Sequence, residues 1–347
     1  MPYIYPVKEK LPTIKEIARQ LSVSVSTVSR ALHNHPAIGL RTKMRVQQLA
    51  RQLDYEPNQT AIFFKQRKTF TIGVVLPNLG EEFFSQAING IEEIAIHNKY
   101  SVLIGQSKDD VDRERQIVTT MKNNRVDGLI VSLSKNTTTY EHFTALKKFN
   151  IPIVFFDRVP TTHEFNKVYS NMNSGTREAI EFLIEKGHRR IGVINGPEEM
   201  RSSHERTATY KQVLISKRLK IDLGLVTSTD LTKEGTHRAM QHLLSQRPRP
   251  TAILVINDYI ALDAIQYARQ QKLKINKDIS FVSYANLPIT HYLENPPMAS
   301  VEQYPYKQGA KAAELLIGLI DNQEKKEEPE SWLNFVINGQ LIIHSRR

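Results

Sequence analysis

Two strand-like runs in this 347-residue chain end in charged and amide side chains, Asp157 with Arg158 and Asn257 with Asp258, and Arg206 begins a helix after Asn195-Gly196-Pro197. A carboxylate, a guanidinium and an amide together accept and donate hydrogen bonds in pairs, which suits a polyhydroxylated or heterocyclic small molecule. Each also has a plainer reading, Asp258 as a helix N-cap and Asp157 with Arg158 as a surface ion pair. A second set lies near the N-terminus, where Val25, Ser26, Ser29 and Arg30 fall on the outer face of a short amphipathic segment, the arrangement of a DNA-reading helix. Patterns for catalysis are missing. The chain has no G-x-G-x-x-G after a strand, no G-x-x-x-x-G-K-[ST], no G-x-S-x-G and no H-E-x-x-H, so dinucleotide, P-loop, nucleophile-elbow and zincin chemistry lack their usual supports. With no cysteine, thiolate zinc sites, disulfides and a cysteine nucleophile are excluded. The 11 histidines are scattered, and His33-x-His35 reads as loop composition rather than a metal site. No cofactor is expected.

The elements that must position these groups are legible. In Thr13 to Leu32, TIKEIARQLSVSVSTVSRAL, Thr13 and Glu16 have capping-box spacing, and Ile14, Ile17, Ala18 and Leu21 form an apolar stripe at helical period. Ser22-Val23-Ser24 makes a turn, Ser24 is an N-cap, and Val28, Ala31 and Leu32 face inward on a second helix. A third helix over Arg41 to Leu53, with Val46, Leu49, Ala50 and Leu53 on one side, closes a three-helix headpiece whose roughly 55 residues give only marginal independent stability. Residues 1–70 carry 12 Lys or Arg against 4 Asp or Glu, which places most of the chain's net +11 beside the helix pair, as a phosphate-binding surface requires. Pro57 ends the preceding helix. The following linker, with Phe63 and Phe64 adjacent, is a solubility liability unless it packs in a dimer or wedges into a DNA minor groove.

Beyond residue 70, strand-like and helix-like runs alternate, the mark of a parallel α/β architecture. Strands are expected at Thr71 to Leu76, Ser101 to Ile104, Gly128 to Leu133, Ile151 to Phe156, Arg190 to Ile194, Ala252 to Ile256 and Ser280 to Tyr284, with helices between them. The number of units predicts two similar lobes, with a ligand cleft between them. A return helix over Lys307 to Ile320 and a hairpin-like segment over Trp332 to His344, turning at Asn338-Gly339, complete the pattern.

The Thr13-Ile14-Lys15-Glu16-Ile17-Ala18 opening, the Val23-Ser24-x-x-Thr27-Val28-Ser29-Arg30 segment and the Leu53-x-Tyr55-x-Pro57-Asn58 exit together resemble the LacI-type family of lactose-repressor-like bacterial transcription regulators. The resemblance covers nearly the whole chain. It implies an all-α helix-turn-helix headpiece (residues 1–56), a hinge helix or linker (57–69), and an α/β core of two periplasmic-binding-protein-like lobes (70–347). Lobe 1 is expected at about 70–162 and 296–324, lobe 2 at about 163–295 and 325–347, with crossovers in the loops 158–167, 286–298 and 321–331. By this resemblance Val25, Ser26 and Arg30 hold base-reading positions; Arg30, whose fork fits two acceptors on a guanine edge, has a phosphate clamp as its alternative. Thr13, Ser24, Thr27, Ser29 and Asn34 are expected as phosphate or positioning contacts, and Tyr55, Asn58 and Phe64 complete the DNA-binding set. Where relatives often carry Ala-Arg-x-Leu, this chain has Ala61-Ile62-Phe63-Phe64, so Phe64 takes the wedge position and the arginine is absent. In the core, Asp157, Arg158, Arg206, Asn257 and Asp258 are the expected effector contacts. Phe83 and Phe84 are expected to line the first-lobe wall, with core packing as the alternative. The late strand that commonly ends Gly-Phe-Asp reads Ser283-Tyr284-Ala285 here, so a carboxylate that often grips a sugar hydroxyl is missing.

The function expected from these features is a sequence-specific transcription regulator, in the repressor sense, with operator affinity controlled by a sugar or sugar derivative. Its partners would be a palindromic double-stranded operator, a carbohydrate effector and a second copy of itself in a homodimer or larger assembly. The alternative is a sugar-binding or sugar-processing α/β protein whose basic N-terminal segment serves something else. The apolar run Ala312 to Ile320 is broken by Glu314, and no targeting or membrane segment is evident, so a soluble cytoplasmic protein is expected.

Overall fold

A computed structural model describes residues 12–56, 68–325 and 331–344. The chain divides into two compact units, residues 1–69 and 70–347.

In the first unit, helices α1 (Ile14–Gln20), α2 (Val25–Leu32) and α3 (Leu40–Gln52) share one core. Ile17, Val28, Ala31 and Val46 are fully buried in it, and Ile14, Leu21, Leu49, Leu53 and Tyr55 close its edges. The α1–α2 turn is tight because Ser22 adopts a left-handed φ of +52°. Ser24 caps α2 as expected, and Thr13 supplies the hydroxyl half of the expected capping box at α1. Thr13 Oγ1 accepts from Glu16 N at 3.3 Å, and Ser24 Oγ from Thr27 N at 3.1 Å. Glu16 lies 3.9 Å from Arg19.

The second unit contains two six-stranded sheets. The first is built from β1 (Thr71–Leu76), β2 (Ser101–Gln106), β3 (Gly128–Val131), β4 (Ile153–Phe156), β5 (Asn166–Asn171) and β11 (Asn334–Asn338), in the spatial order β11-β5-β4-β3-β1-β2, all parallel. The second comprises β6 (Ile191–Asn195), β7 (Val226–Ser228), β8 (Ala252–Val255), β9 (Ser280–Tyr284), β10 (Ala299–Glu302) and β12 (Gln340–Ile343). Its order is β12-β10-β9-β8-β6-β7, parallel except where β12 runs against β10. Central strands β3, β8 and β9 are buried along their whole length, which is why β3 and β8 read as continuous apolar runs.

The connecting helices cover the sheets: α4 (Glu82–His97), α5 (Val111–Asn123), the short α6 (Glu141–Thr144), α7 (Met172–Glu185), α8 (Arg201–Ser216), α9 (Lys233–Ser245), α10 (Asp258–Gln270) and the return helix α11 (Pro305–Lys325). Both sheets change strand direction of winding between their first and third strands in sequence, β1/β3 and β6/β8. Loops leaving the carboxyl ends of these strands are therefore where a ligand crevice forms.

Two expectations are corrected here. The strands β5, β7 and β10 were not expected, and because β5 pairs with β4 the first lobe runs to Asn171, not to about 162. The chain then crosses at Asn171-Met172, again between Glu302 and Pro305, and a third time at Asn338-Gly339-Gln340, instead of in the loops 158–167, 286–298 and 321–331. The C-terminal segment is not a hairpin. β11 and β12 belong to different sheets and do not pair with each other. Gly339 fits this junction because a Cβ there would lie 3.0 Å from Glu302 O and 3.0 Å from Val301 Cγ1. Asn171 Nδ2 donates to Asn338 Oδ1 at 2.9 Å, tying the first crossover to the third.

Candidate DNA-binding and effector sites

On the headpiece, Val25, Ser26 and Arg30 are exposed on the outer face of α2, with Val25 41 % exposed, as a base-reading face requires. Arg30 has no acidic partner among the described residues, so its guanidinium is available for an acceptor. Several expected phosphate contacts have work inside the headpiece. Ser24 Oγ, besides capping α2, lies 2.7 Å from Ser26 Oγ and 2.8 Å from Thr27 Oγ1. Thr13 caps α1. Asn34, at φ +53°, takes hydrogen bonds from Gln47 Nε2 on its side-chain oxygen (2.8 Å) and from Lys43 Nζ on its carbonyl (3.1 Å), which locks the corner after α2 onto α3. Ser29 is half-buried, and Tyr55 packs on the core, where burial raises its phenol above the ordinary value. Asn58, Phe64 and residues 57–67 of the linker lie outside the described residues.

In the second unit, an open cleft of about 1190 Å³ including its mouth lies between the two sheets' carboxyl ends. Of the expected effector contacts, Phe83, Phe84, Asp157, Arg158, Arg206 and Asn257 all line it. Phe83 and Phe84 meet edge to face at 5.4 Å, and Phe84 also packs on Phe156 in the first-lobe core, so the core-packing reading holds for it as well. Asp157 follows β4 in a left-handed conformation, φ +57°, which turns the chain at the cleft wall. Burial raises its carboxyl to about 6 against the pull of Arg158. Arg158 does not pair with Asp157 on the surface. Its Nη1 binds Asp109 Oδ1 at 2.6 Å, and the guanidinium lies 5.8 Å from the Phe84 ring centre.

Asp258 is a correction. It does not line the cleft, and it is fully buried. Its Oδ1 accepts from Ser283 Oγ and, at 3.0 Å, from Ser300 Oγ, while Oδ2 accepts from Leu287 N at 2.7 Å. The carboxylate therefore fixes the loop after β9. Asn257 is the actual N-cap of α10, with Oδ1 accepting from Ile260 N at 2.8 Å.

Arg206, on α8, is only 2 % exposed. Nη1 donates to Asn195 Oδ1 at 3.0 Å, Nη2 reaches Met172 Sδ at 3.7 Å, and the guanidinium stacks 4.6 Å from the Tyr284 ring centre. Its Nε has no hydrogen-bond partner.

Sequence reasoning missed several residues that line the cleft, among them Glu81, Lys135, Tyr169, Arg201 and Glu205. The strand-end rule applied to the loops after β1 and β3, and to the first turn of α8, would have found three of them. Glu114, fully buried, braces the loop after β3 by accepting from Ser134 N at 2.7 Å and Thr137 Oγ1 at 2.9 Å. Contacts that join the lobes across the opening include Lys135 Nζ to Asp230 O at 2.9 Å and Arg201 over the Tyr169 ring at 4.4 Å.

A helix-turn-helix headpiece that exposes Arg30 on its second helix, in one chain with a two-lobed core and its polar cleft, defines a ligand-responsive DNA-binding regulator. Residues 13–58 match the pattern of the bacterial regulatory proteins of the lacI family, and residues 69–338 match that of the periplasmic binding proteins and sugar binding domain of the LacI family. The chain belongs to the LacI family. It is 31 % identical to the HTH-type transcriptional repressor CytR of Escherichia coli (strain K12), over 91 % of this chain and 92 % of the relative. It is 30 % identical to the ribose operon repressor of Haemophilus influenzae, over 90 % of this chain and 93 % of the relative. The fold is that of the lac repressor dimer bound to operator and an anti-inducer, with a TM-score of 0.81 at 23 % identity over 97 % of this chain and 99 % of that one. These relatives are repressors and not enzymes, which sets aside the sugar-processing alternative. Among the described residues, no helix is long and apolar enough to cross a membrane.

Proposed function

We propose that this protein is a homodimeric, cytoplasmic repressor that reads a near-palindromic operator with the outer face of α2 and changes its operator affinity when a small, sugar-derived effector occupies the cleft. The observation that carries the reading is Arg206: a guanidinium buried in a cleft between two lobes linked by three crossovers, with donor capacity unused. A ligand that satisfies it in one lobe orientation and not in another shifts the population between the two, and operator affinity follows through linkage. Similarity to the ribose operon repressor and to the sugar binding domain of the family supports a carbohydrate-derived ligand. In this reading Phe64 acts as an apolar wedge at the operator centre, and Arg30 reads a guanine edge.

The test is selection of operator sequences from random duplex DNA, followed by affinity measurements with and without candidate effectors. Arg206→Ala should retain operator binding and lose the ligand response. Coupling of about 1–3 kcal/mol would appear as a several-fold change in operator affinity, with the operator changing ligand affinity by the same factor. Selection that yields no sequence preference would overturn the reading.

A further inference from the structure

We infer that the effector is a small hydroxylated anion, carrying a carboxylate or phosphate group toward Arg206. The inference rests on the cleft being the effector site. Arg206 is 2 % exposed, and among the described residues no carboxylate comes within 4.0 Å of its nitrogens. Its neighbours are neutral: the Asn195 amide, the Met172 thioether and the Tyr284 ring. The nearest acid in sequence, Glu205, is committed to Arg201, whose Nε lies 2.7 Å from its carboxylate. Nε of Arg206 and the hydroxyl of Ser203 one turn earlier are both buried without partners.

A buried cation held only by neutral groups pays most of its desolvation cost without an ion pair to offset it. Such an arrangement persists when a bound anion completes it, because planar carboxylate and phosphate oxygens match the guanidinium fork. The opposite wall is mixed: its cations Arg158 and Lys135 are held by the Asp109 carboxylate and by the Asp230 carbonyl, while two carboxylates beside them have no salt bridge within 4.0 Å among the described residues. Glu81 and Asp157 stand there as carboxylates whose pKa values burial raises, positions that accept from ligand hydroxyls and repel a second anion. A molecule with an anionic end and a hydroxylated end fits both walls in one orientation only. Ala285, next to Tyr284 on the same side as Arg206, supplies no charge of its own.

The experiment is calorimetric titration of the full-length protein with matched neutral and anionic probes: ribose and ribose 5-phosphate, glucose and glucose 6-phosphate, gluconate and glucuronate. At least one anionic probe should bind ten-fold or more tightly than its neutral counterpart, and comparing the phosphates with the sugar acids distinguishes the two sources of charge. Arg206→Met should remove that preference and at the same time raise the melting temperature of the ligand-free protein, since it deletes an uncompensated charge at similar volume; a merely structural arginine would lower it. Ala285→Asp should likewise cut anion affinity ten-fold, at a φ of +90° that aspartate accepts no worse than alanine. Equal or tighter binding of the neutral probes, binding of no probe in either class, or a lower melting temperature for Arg206→Met overturns the inference. A probe that binds with the expected preference but leaves operator affinity unchanged counts against effector control and leaves the anion preference standing.

Discussion

Lys135 Nζ donates to the main-chain carbonyl of Asp230 at 2.9 Å, and the two residues stand on opposite lobes. The side chain of Asp230 is itself occupied, by Thr232 and by Arg238 at 3.1 Å, so the carbonyl is presented by a braced loop. The lysine is placed by an equally braced one, with its amide on Asp109 Oδ1 at 2.9 Å. This bond favours the closed arrangement of the lobes. Lys135→Ala should weaken closure by about 0.5–1.5 kcal/mol, the net value of such a bond. Hydrogen exchange in the loops around residues 135 and 230 should rise together, and small-angle scattering should show a larger radius of gyration. Unchanged exchange in both loops would mean that the bond contributes nothing to closure.

Arg30→Ala should cost about 1–3 kcal/mol on the selected operator and relax the preference at one base pair in each half-site, as loss of a bidentate contact does. Arg41→Ala and Arg51→Ala, removing exposed charges of α3, should weaken specific and random DNA alike and reduce the salt dependence by about one phosphate contact each. Equal losses for Arg30→Ala on operator and random duplex would make it a phosphate clamp.

Ser24→Ala removes the α2 cap and should destabilise the headpiece by about 1 kcal/mol. Measured by headpiece amide exchange in the full chain, this loss should appear without DNA present. A variant with normal exchange and weakened DNA binding would assign Ser24 to phosphate contact instead.

Asp258→Ala strips partners from Ser283, Ser300 and the Leu287 amide, all buried, and should destabilise the core by about 2–4 kcal/mol. Chemical denaturation would check it. A loss below about 1 kcal/mol would show that the loop after β9 finds another anchor.

The raised carboxyl of Asp157 fixes a pH signature. Its pKa moves from an ordinary 3.8 to about 6 in the folded protein, so between those values the folded state holds the proton that the unfolded state has released. Stability therefore falls as pH rises through about 4 to 6 and levels off above. Asp258, raised to about 6 for the same reason, adds to the slope. Asp157→Asn should reduce the slope of melting temperature against pH in that window and leave the remainder to Asp258, Glu81 and Asp263, the other carboxyls that burial raises; an unaltered slope would mean Asp157 is not held protonated there.

The headpiece was legible because each of its signals is local: caps at Thr13 and Ser24, and apolar period at Ile17, Val28 and Val46, all within reach of one short stretch. The strand β5 was hidden by its composition. Asn166 and Lys167 look like loop residues, yet both are buried, the amide oxygen of Asn166 accepting from Leu333 N at 3.0 Å and Lys167 Nζ donating to Pro160 O at 2.7 Å. Asn338-Gly339 carries the strongest local hairpin signal, but the flanking strands take partners 167 residues or 38 to 44 residues away, and such pairing is decided by the sheets and not by the turn. In the cleft, neighbours Asn257 and Asp258 are equally polar in sequence. Only the helix start separates the one that faces the ligand space from the one that turns into the core.

The interleaving of the two sheets also bears on how a ribosome delivers the protein. The headpiece is one continuous stretch and can form early in translation. The first lobe cannot: α11 and β11, which complete its helical layer and its edge, emerge only after β6 through β10 of the second lobe have been made. Until residue 338 is out, β5 remains an unpaired sheet edge. Nascent chains thus pass through a stage in which the whole headpiece has been made while the ligand-binding core is incomplete, and the interval between those two events is set by the speed of translation across the whole core.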